Sequence, residues 1–203
     1  MLINLKGRSG SPLNPIKALP GFTDNFNRAS GDAIGFTSGE NRPYLLAGTG
    51  TAPVWQINSA GGAHLVSGSG GLNVAVLNGL SADGTLKVTA QGLGSSRRGG
   101  LAFRYRDIDN LFMLYQASNT SPLGIHRRLN GATAVQVGFS TYTPADGDVY
   151  QVIMAGSNIQ VLVNGTQIMS ITDSSLASET RHGLYGSSLA FGMDWDDLSF
   201  TAA

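Results

Sequence analysis

Apolar and polar positions alternate along most of the chain after residue 21. Leu101, Phe103 and Tyr105 alternate with smaller or charged residues, which is the period of two of a half-buried strand. The same alternation, or a short apolar run, recurs at 53–58, 63–67, 72–77, 84–90, 110–116, 124–129, 133–139, 149–155, 158–163, 167–172 and 189–200. No window of helical length keeps a 3.6-residue period. The pattern therefore predicts an all-β protein.

Turn-forming pairs separate these segments. Asn130-Gly131 and Asn164-Gly165 each stand between two alternating runs and predict tight hairpins. Asn78-Gly79 and Asp83-Gly84 add further turns. About a dozen short strands at ~8–12-residue spacing are typical of an antiparallel sandwich or jelly roll. We predict an antiparallel jelly-roll β-sandwich over residues 22–203.

Composition narrows the choice of partners. The 13 basic and 13 acidic residues cancel, and charged residues make up only 13% of the chain, about half the usual ~25%. We therefore expect neither nucleic acid nor membrane as a partner. The chain has no cysteine, which excludes disulfides, thiolate metal sites and cysteine nucleophiles.

The first 21 residues form a segment of different character, with three basic residues, no acid, and several large aliphatic side chains. We interpret residues 1–21 as an extended arm that anchors the protein in a groove on a partner subunit, although a frayed terminus is the alternative. No apolar core of a signal peptide is present, which favours synthesis in a cytosol. The residues predicted to anchor the arm are Leu2, Ile3, Leu5, Lys6, Arg8, Leu13, Ile16 and Lys17.

The acidic residues give little support to catalysis. Glutamate occurs only at Glu40 and Glu179, so the paired carboxylates of a retaining glycosidase are missing. His126 is interpreted as a surface strand position, His182 as part of a turn, and the arginines near Tyr105 as a solvated or partner-facing row. We expect a protein that is not an enzyme.

A cluster of carboxylates near the end of the chain suggests a metal ion. Asp194, Asp196 and Asp197 stand on a predicted terminal strand, where closely spaced like charges need an explanation. One is a structural calcium ion held by Asp196 and Asp197 together with Asp24. The alternative is that these carboxylates face solvent or cap a loop.

Two tyrosines are candidates for stacking against sugar rings. Tyr44 and Tyr142 have loop-forming neighbours, which predicts that they lie at the surface. Most other aromatic side chains, including those of Tyr115 and Tyr185, are expected in the core.

The order of several motifs resembles a known family. The motifs are Asp24-Asn-Phe-Asn-Arg28, a Trp55-Gln-Ile strand, Gly100-Leu-Ala-Phe-Arg-Tyr-Arg-Asp, Asn110-Leu-Phe-Met-Leu, Ile159-Gln-Val-Leu-Val-Asn-Gly165, Gly183-Leu-Tyr-Gly and Trp195-Asp-Asp-Leu-Ser-Phe200. In this order they resemble the concanavalin A-like (laminin G-like) jelly rolls of tailed-bacteriophage virion proteins. The resemblance implies that the opening and closing strands lie side by side, which would bring Asp24 close to Asp196 or Asp197. The Glu-x-Asp-x-x-Glu strand of the catalytic members is absent.

The resemblance implies a non-enzymatic virion protein, either a capsid decoration protein or a tail accessory protein. Its partner would be the major capsid protein or a tail protein, its state a homo-oligomer, and its location the virion after assembly in the host cytoplasm. The alternative is a carbohydrate-binding module that recognises host surface glycan. A glycoside hydrolase that uses aspartate pairs is a third hypothesis.

Overall fold

The computed structural model describes residues 21–68, 70–93, 98–116, 118, 120–187 and 193–203. The described residues form fifteen β-strands and no α-helix, which confirms the all-β prediction. Within them, no helix exists that could cross a membrane. The predicted anchoring arm lies almost wholly outside these residues. The strands are β1 (Phe22–Asp24), β2 (Leu45–Gly48), β3 (Val54–Ile57), β4 (Ala63–Ser67), β5 (Asn73–Asn78), β6 (Gly84–Gly92), β7 (Gly99–Asp107), β8 (Asn110–Gln116), β9 (Leu123–Arg128), β10 (Val135–Ser140), β11 (Val149–Ala155), β12 (Asn158–Val163), β13 (Thr166–Thr172), β14 (Arg181–Gly186) and β15 (Asp194–Ala202).

The strands build two antiparallel sheets that pack face to face. The eight-stranded sheet has the order β13-β12-β11-β6-β15-β4-β3, with β1 paired to β15. The seven-stranded sheet has the order β10-β9-β8-β7-β14-β5-β2. The two sheets enclose one shared core, so the predicted sandwich is confirmed.

The first and last strands are neighbours in the eight-stranded sheet. Phe22 lies opposite Phe200, and Asp24 lies opposite Leu198. The ring centroids of the two phenylalanines are 5.8 Å apart. The side-by-side arrangement expected from the family resemblance is therefore present.

The two asparagine-glycine hairpins form where the sequence predicts them. Asn130 and Gly131 have φ angles of 52° and 73°, and Asn164 and Gly165 have φ angles of 51° and 79°. Two successive positive φ angles match the twist of antiparallel strands, and asparagine followed by glycine adopts them at little cost.

Large aromatic side chains fill the space between the sheets. Phe103 stacks on Phe112 with a centroid separation of 5.4 Å, and Tyr150 contacts Trp195 at 5.8 Å. All four side chains are buried, and each such burial contributes roughly 1.5–3 kcal/mol to stability.

A bulge in β7 corrects the prediction for Arg104. Arg104 has a φ of 47°, and the pairing of β7 with β14 shifts register beside it. The shift turns the Arg104 side chain into the interior, where it is 0% exposed and donates hydrogen bonds to the carboxylate of Asp83 and the carbonyl of Gly156. Tyr105 consequently faces away from the core shared by the sheets. Arg104 is therefore a buried cation and not part of a solvated row.

His182 lies within β14 and not in a turn, so that prediction was wrong. Its Nδ1 accepts a hydrogen bond of 3.2 Å from the backbone N–H of Arg104, and its ring stacks on Phe200 at 4.4 Å. Burial, with a smaller contribution from the positive charge of Arg104, lowers the pKa of His182 to about 4.

A second apolar cluster covers the outer face of the seven-stranded sheet. Strand β8 supplies both sides: Phe112 and Leu114 point into the shared core, whereas Leu111, Met113 and Tyr115 point outward, because side chains alternate along a strand. The buried members of this second apolar cluster are Leu72, Val74, Val76, Ala102, Tyr105, Leu111, Met113 and Tyr185. None of these members is more than 5% exposed, so they form a second, smaller core on the outer face of the sheet.

Candidate functional site

One cross-strand row on this outer face alternates aromatic residues with glycines. Tyr185 on β14 lies opposite Gly100 on β7, and Gly100 lies opposite Tyr115 on β8. Tyr115 lies opposite Gly124 on β9, and Gly124 lies opposite Phe139 on the edge strand β10. We refer to these five residues as the aromatic row. The row spans five adjacent strands. Both glycines are buried, and a Cβ at Gly124 would meet the side-chain amide of Gln136.

Aromatic rings contact one another at the centre of the row. The ring centroids of Tyr115 and Tyr185 are 4.7 Å apart, and the ring of His126 lies 4.3 Å from that of Tyr115. The hydroxyl of Tyr185 donates a hydrogen bond of 3.2 Å to the carbonyl of Gly71, which fixes its orientation. Tyr185 is buried, as expected of a core residue, but in the second apolar cluster on the outer face, and Tyr115 is partly buried against the same cluster.

His126 supports the row from β9. The residue is buried, contrary to the prediction of a surface position, and burial lowers its pKa. Its Nδ1 has no hydrogen-bond partner. The buried imidazole therefore packs beneath Tyr115 as part of the support of the row.

A small groove, which we call the face groove, runs along the tyrosine end of the row. Its volume is about 250 Å³. Its floor combines aromatic and aliphatic surface with a few polar groups, the composition typical of ligand sites. The lining residues are Thr49, Gly71, Leu72, Met113, Tyr115, Arg128, Ala134 and Tyr185.

A second groove, the edge groove, begins at the other end of the row. Its volume is about 550 Å³. The Phe139 side chain, which is 64% exposed, belongs to both the row and this groove. The lining residues are Gln116, Thr120, Ser121, Pro122, Phe139, Thr141, Tyr142 and Thr143. Hydroxyl and amide groups therefore surround the exposed ring.

Tyr142, a predicted sugar-binding residue, lines the edge groove. Its hydroxyl donates a hydrogen bond of 2.9 Å to the buried carboxylate of Asp148, which also accepts one from the side-chain amide of Asn164. Burial, and then the hydrogen bond to Asp148, raises the pKa of Tyr142. The phenol is therefore neutral and held in place, with its ring beside Phe139.

Tyr44, the other predicted sugar-binding residue, lies elsewhere. Its ring packs against the shared core, and its hydroxyl donates a hydrogen bond of 2.8 Å to Asp24. Burial, and then the negative charge of Asp24, raises the pKa of Tyr44. None of the grooves described here is lined by both Tyr44 and Tyr142, and the sugar-binding role of this pair stays a prediction.

The three predicted calcium ligands do come together, but Asp24 is already engaged. Its carboxylate accepts hydrogen bonds from both terminal nitrogens of Arg28, the hydroxyl of Tyr44, and the backbone N–H groups of Phe26 and Ser38. Five donors leave no free lone pair that could bind a cation.

The neighbouring carboxylates line open surface. Burial raises the pKa of Asp196, and the negative charges of Asp197 and Asp24 raise it further. Asp197, at a φ of 51°, lies beside a polar cleft of about 630 Å³ that also contains Asn25 and Lys87. Among the described residues, no group of three or more histidine or acidic side chains is arranged to hold a metal. Calcium stays a prediction that this geometry does not support.

Comparison with known proteins bears on the fold. No family model matches the sequence, and no curated protein matches it. The apo Crh5 transglycosylase is similar in structure, with a TM-score of 0.56 at 12% identity over 92% of this chain and 85% of that chain. A protein of unknown function from Shewanella oneidensis MR-1 has a TM-score of 0.52 at 16% identity over 89% of this chain and 84% of that chain.

The fold is a concanavalin A-like jelly roll. A carbohydrate binding module from Bacillus subtilis is similar over 90% of this chain and 96% of that chain, with a TM-score of 0.48 and 15% identity. At such identities the likeness describes the jelly roll alone, and function has to be argued from the residues.

Phe139 is the site residue that sequence reasoning missed. By simple alternation it shares a face with Val137, which packs against the shared core. A register shift between Gln136 and Gly138 reverses that phase, because one extra residue exchanges the two faces of a strand. Gly138 inside an otherwise apolar run was the signal that could have indicated the bulge.

Proposed function

We propose that this jelly roll is a carbohydrate-binding module whose ligand lies along the aromatic row. The observation that carries the proposal is the alternation of Tyr185, Tyr115 and Phe139 with Gly100 and Gly124 in one register across five strands. A sugar ring has one face of C–H groups and a rim of hydroxyls. The exposed ring of Phe139 and the partly buried ring of Tyr115 offer apolar surface to the C–H face, and the glycines between the aromatic residues add no side chain that would meet the hydroxyls.

The grooves also supply the polar contacts that a sugar needs. The edge groove places the hydroxyls of Thr120, Thr141 and Thr143 around Phe139, and the face groove adds Thr49 and Arg128. Tyrosine and phenylalanine have only two side-chain torsions, so fixing them on binding costs little entropy. Such a surface suits a weak to moderate affinity for an extended saccharide.

Hydrolysis has no support from these grooves. Neither groove is lined by aspartate or glutamate among the described residues, and a glycosidase requires two carboxyl groups on either side of the bond it breaks. The chemistry of the lining residues therefore favours binding without cleavage.

A glycan array probed with three forms of the full chain tests the proposal. The forms are the wild type, Phe139→Ala, and the matched control Phe36→Ala, whose ring is 53% exposed outside the row. Loss of ~55 Å² of buried ring at about 25 cal/mol per Å² gives about 1.4 kcal/mol, or tenfold weaker binding. We expect that loss for Phe139→Ala alone. Equal binding by all three forms, or no binding by the wild type, would contradict the proposal.

The virion role stays a prediction from the family resemblance. It depends on an anchoring arm that lies outside the described residues, so no contact in the structure supports it. Quantitative mass spectrometry of purified particles from the source would test it. A copy number near that of the major capsid protein indicates decoration, a few copies indicate the tail, and absence removes the virion role.

A further inference from the structure

An arginine, Arg98, stands near the tyrosines of the aromatic row. Arg98 is two residues before Gly100, and the backbone N–H of Ser187 donates a hydrogen bond of 3.0 Å to its carbonyl. The ladder between β7 and β14 thus continues to this position. Alternation along the strand then places Arg98 on the same outer face as Gly100.

The charge of Arg98 acts on both central phenols. Burial raises the pKa of Tyr115 and of Tyr185, and the positive charge of Arg98 opposes that rise in each. Arg98 itself forms no ion pair with any residue that the structure describes. A guanidinium that no carboxylate of the described residues neutralises is available to a ligand.

A second guanidinium lies on the opposite side of the tyrosines. Arg128 lines the face groove and donates a hydrogen bond of 2.9 Å from Nη2 to Asp109. The Asp109 side chain is half exposed, so this ion pair is weak. The Nε of Arg128 is buried and has no hydrogen-bond partner, which leaves a donor unsatisfied until a ligand supplies an acceptor.

We infer that the glycan bound along the aromatic row is acidic and places a sugar carboxylate against Arg98. This inference rests on the proposed function. The planar guanidinium forms two parallel hydrogen bonds with a carboxylate, which gives orientation as well as attraction. The face groove has no acidic lining residue to repel that group. Specificity for acidic over neutral sugars follows, although the protein has no net charge.

Matched glycan pairs test the inference. Arrayed glycans that contain glucuronate, galacturonate or neuraminate are each printed beside the carboxyl-reduced form, so that each pair differs in a single group. The full chain is compared with Arg98→Gln, Arg98→Lys and the control Arg106→Gln, which changes an exposed arginine of β7 paired to Glu179. We expect the wild type and Arg106→Gln to prefer one acidic form by tenfold or more.

Arg98→Gln should bind that acidic glycan about tenfold more weakly and its reduced form unchanged, and Arg98→Lys should restore only part of the preference. Equal wild-type binding to both members of every pair, with Phe139→Ala still weakened, would overturn the acidic specificity and leave the proposed function standing. A preference that survives in Arg98→Gln would overturn the role of Arg98. No binding to any glycan would overturn the proposed function and this inference together.

Discussion

Arg28 donates two hydrogen bonds to the carboxylate of Asp24, one of 3.1 Å from Nη1 to Oδ1 and one of 3.0 Å from Nη2 to Oδ2. The carboxylate is 0% exposed, whereas the guanidinium keeps a solvent-facing edge. Together they tie the start of the domain to the segment that follows β1. The Asp24 carboxylate thus stabilises the fold as a hydrogen-bond acceptor, in the position where the sequence suggested a metal ligand.

Asp24→Asn should destabilise the fold. An amide cannot form the charged pair with Arg28, and its NH₂ group would face the hydrogen-bond donors that now surround Oδ1 or Oδ2. The partial exposure of Arg28 moderates the loss, so we expect about 2–3 kcal/mol less free energy of unfolding. Urea unfolding measures it, with exposed Asp197→Asn as the control. Wild-type stability in Asp24→Asn would contradict the stabilising role of this carboxylate.

Chelation should leave the melting temperature unchanged. A ligand that binds only the native state raises its stability in proportion to ln(1 + [L]/Kd). If calcium were bound, the melting temperature would therefore be higher in excess Ca²⁺ than in EDTA. We expect no shift because the oxygens of Asp24 already accept five hydrogen bonds. A clear stabilisation by Ca²⁺ would restore the metal site.

Gly100→Ala should be strongly destabilising, because a Cβ at Gly100 would overlap the backbone carbonyl oxygen of Leu114 on the neighbouring strand. Backbone atoms cannot yield as a flexible side chain can, so we expect a loss of about 2 kcal/mol or more in urea unfolding. Gly71→Ala is the matched control, since a Cβ there would meet no atom within 4 Å. Similar stability of the two variants would show that Gly100 is not required for the close packing of β7 on β8.

The stability of the fold should fall with acid because of His182. Its pKa is lowered from 6.5 to about 4 in the native state, so between pH 6.5 and 4 the unfolded chain binds a proton that the folded chain does not. Stability therefore rises with pH across that window and is lost as pH falls from 6.5 to 4. The full loss is about 3 kcal/mol, and His126 adds in the same direction.

Urea unfolding at several pH values measures this slope. His182→Gln, which removes the titrating group, should flatten it, whereas His64→Gln should keep it. A slope that is the same in wild type and His182→Gln would exclude His182 as its source.

The sequence predicts the fold well because local signals are strong there. The hairpins at Asn130 and Asn164 follow from residues that accept positive φ, and alternation locates most of the strands. The site is harder because two bulges reverse the alternation. One turns Arg104 inward and Tyr105 outward, and the other turns Phe139 outward. A bulge depends on how a strand pairs with its neighbour, which a period of two along one strand does not encode.

Long-range register explains the remaining differences. Tyr115 and Tyr185 come from strands about seventy residues apart in sequence, and only the pairing of β14 with β7 and of β7 with β8 brings their rings together. The expectation that most aromatic side chains are in the core holds for Tyr185, which is buried in the second apolar cluster, whereas Tyr115 is only partly buried against it.

The most direct test of the central claim is a titration of the ¹⁵N-labelled full chain with the best glycan from the array, followed by amide NMR. The account predicts that the largest shifts occur along the aromatic row, at Gly100, Tyr115, Gly124 and Phe139. Shifts confined to the polar cleft around Asn25 and Asp197, with the aromatic row unchanged, would contradict it.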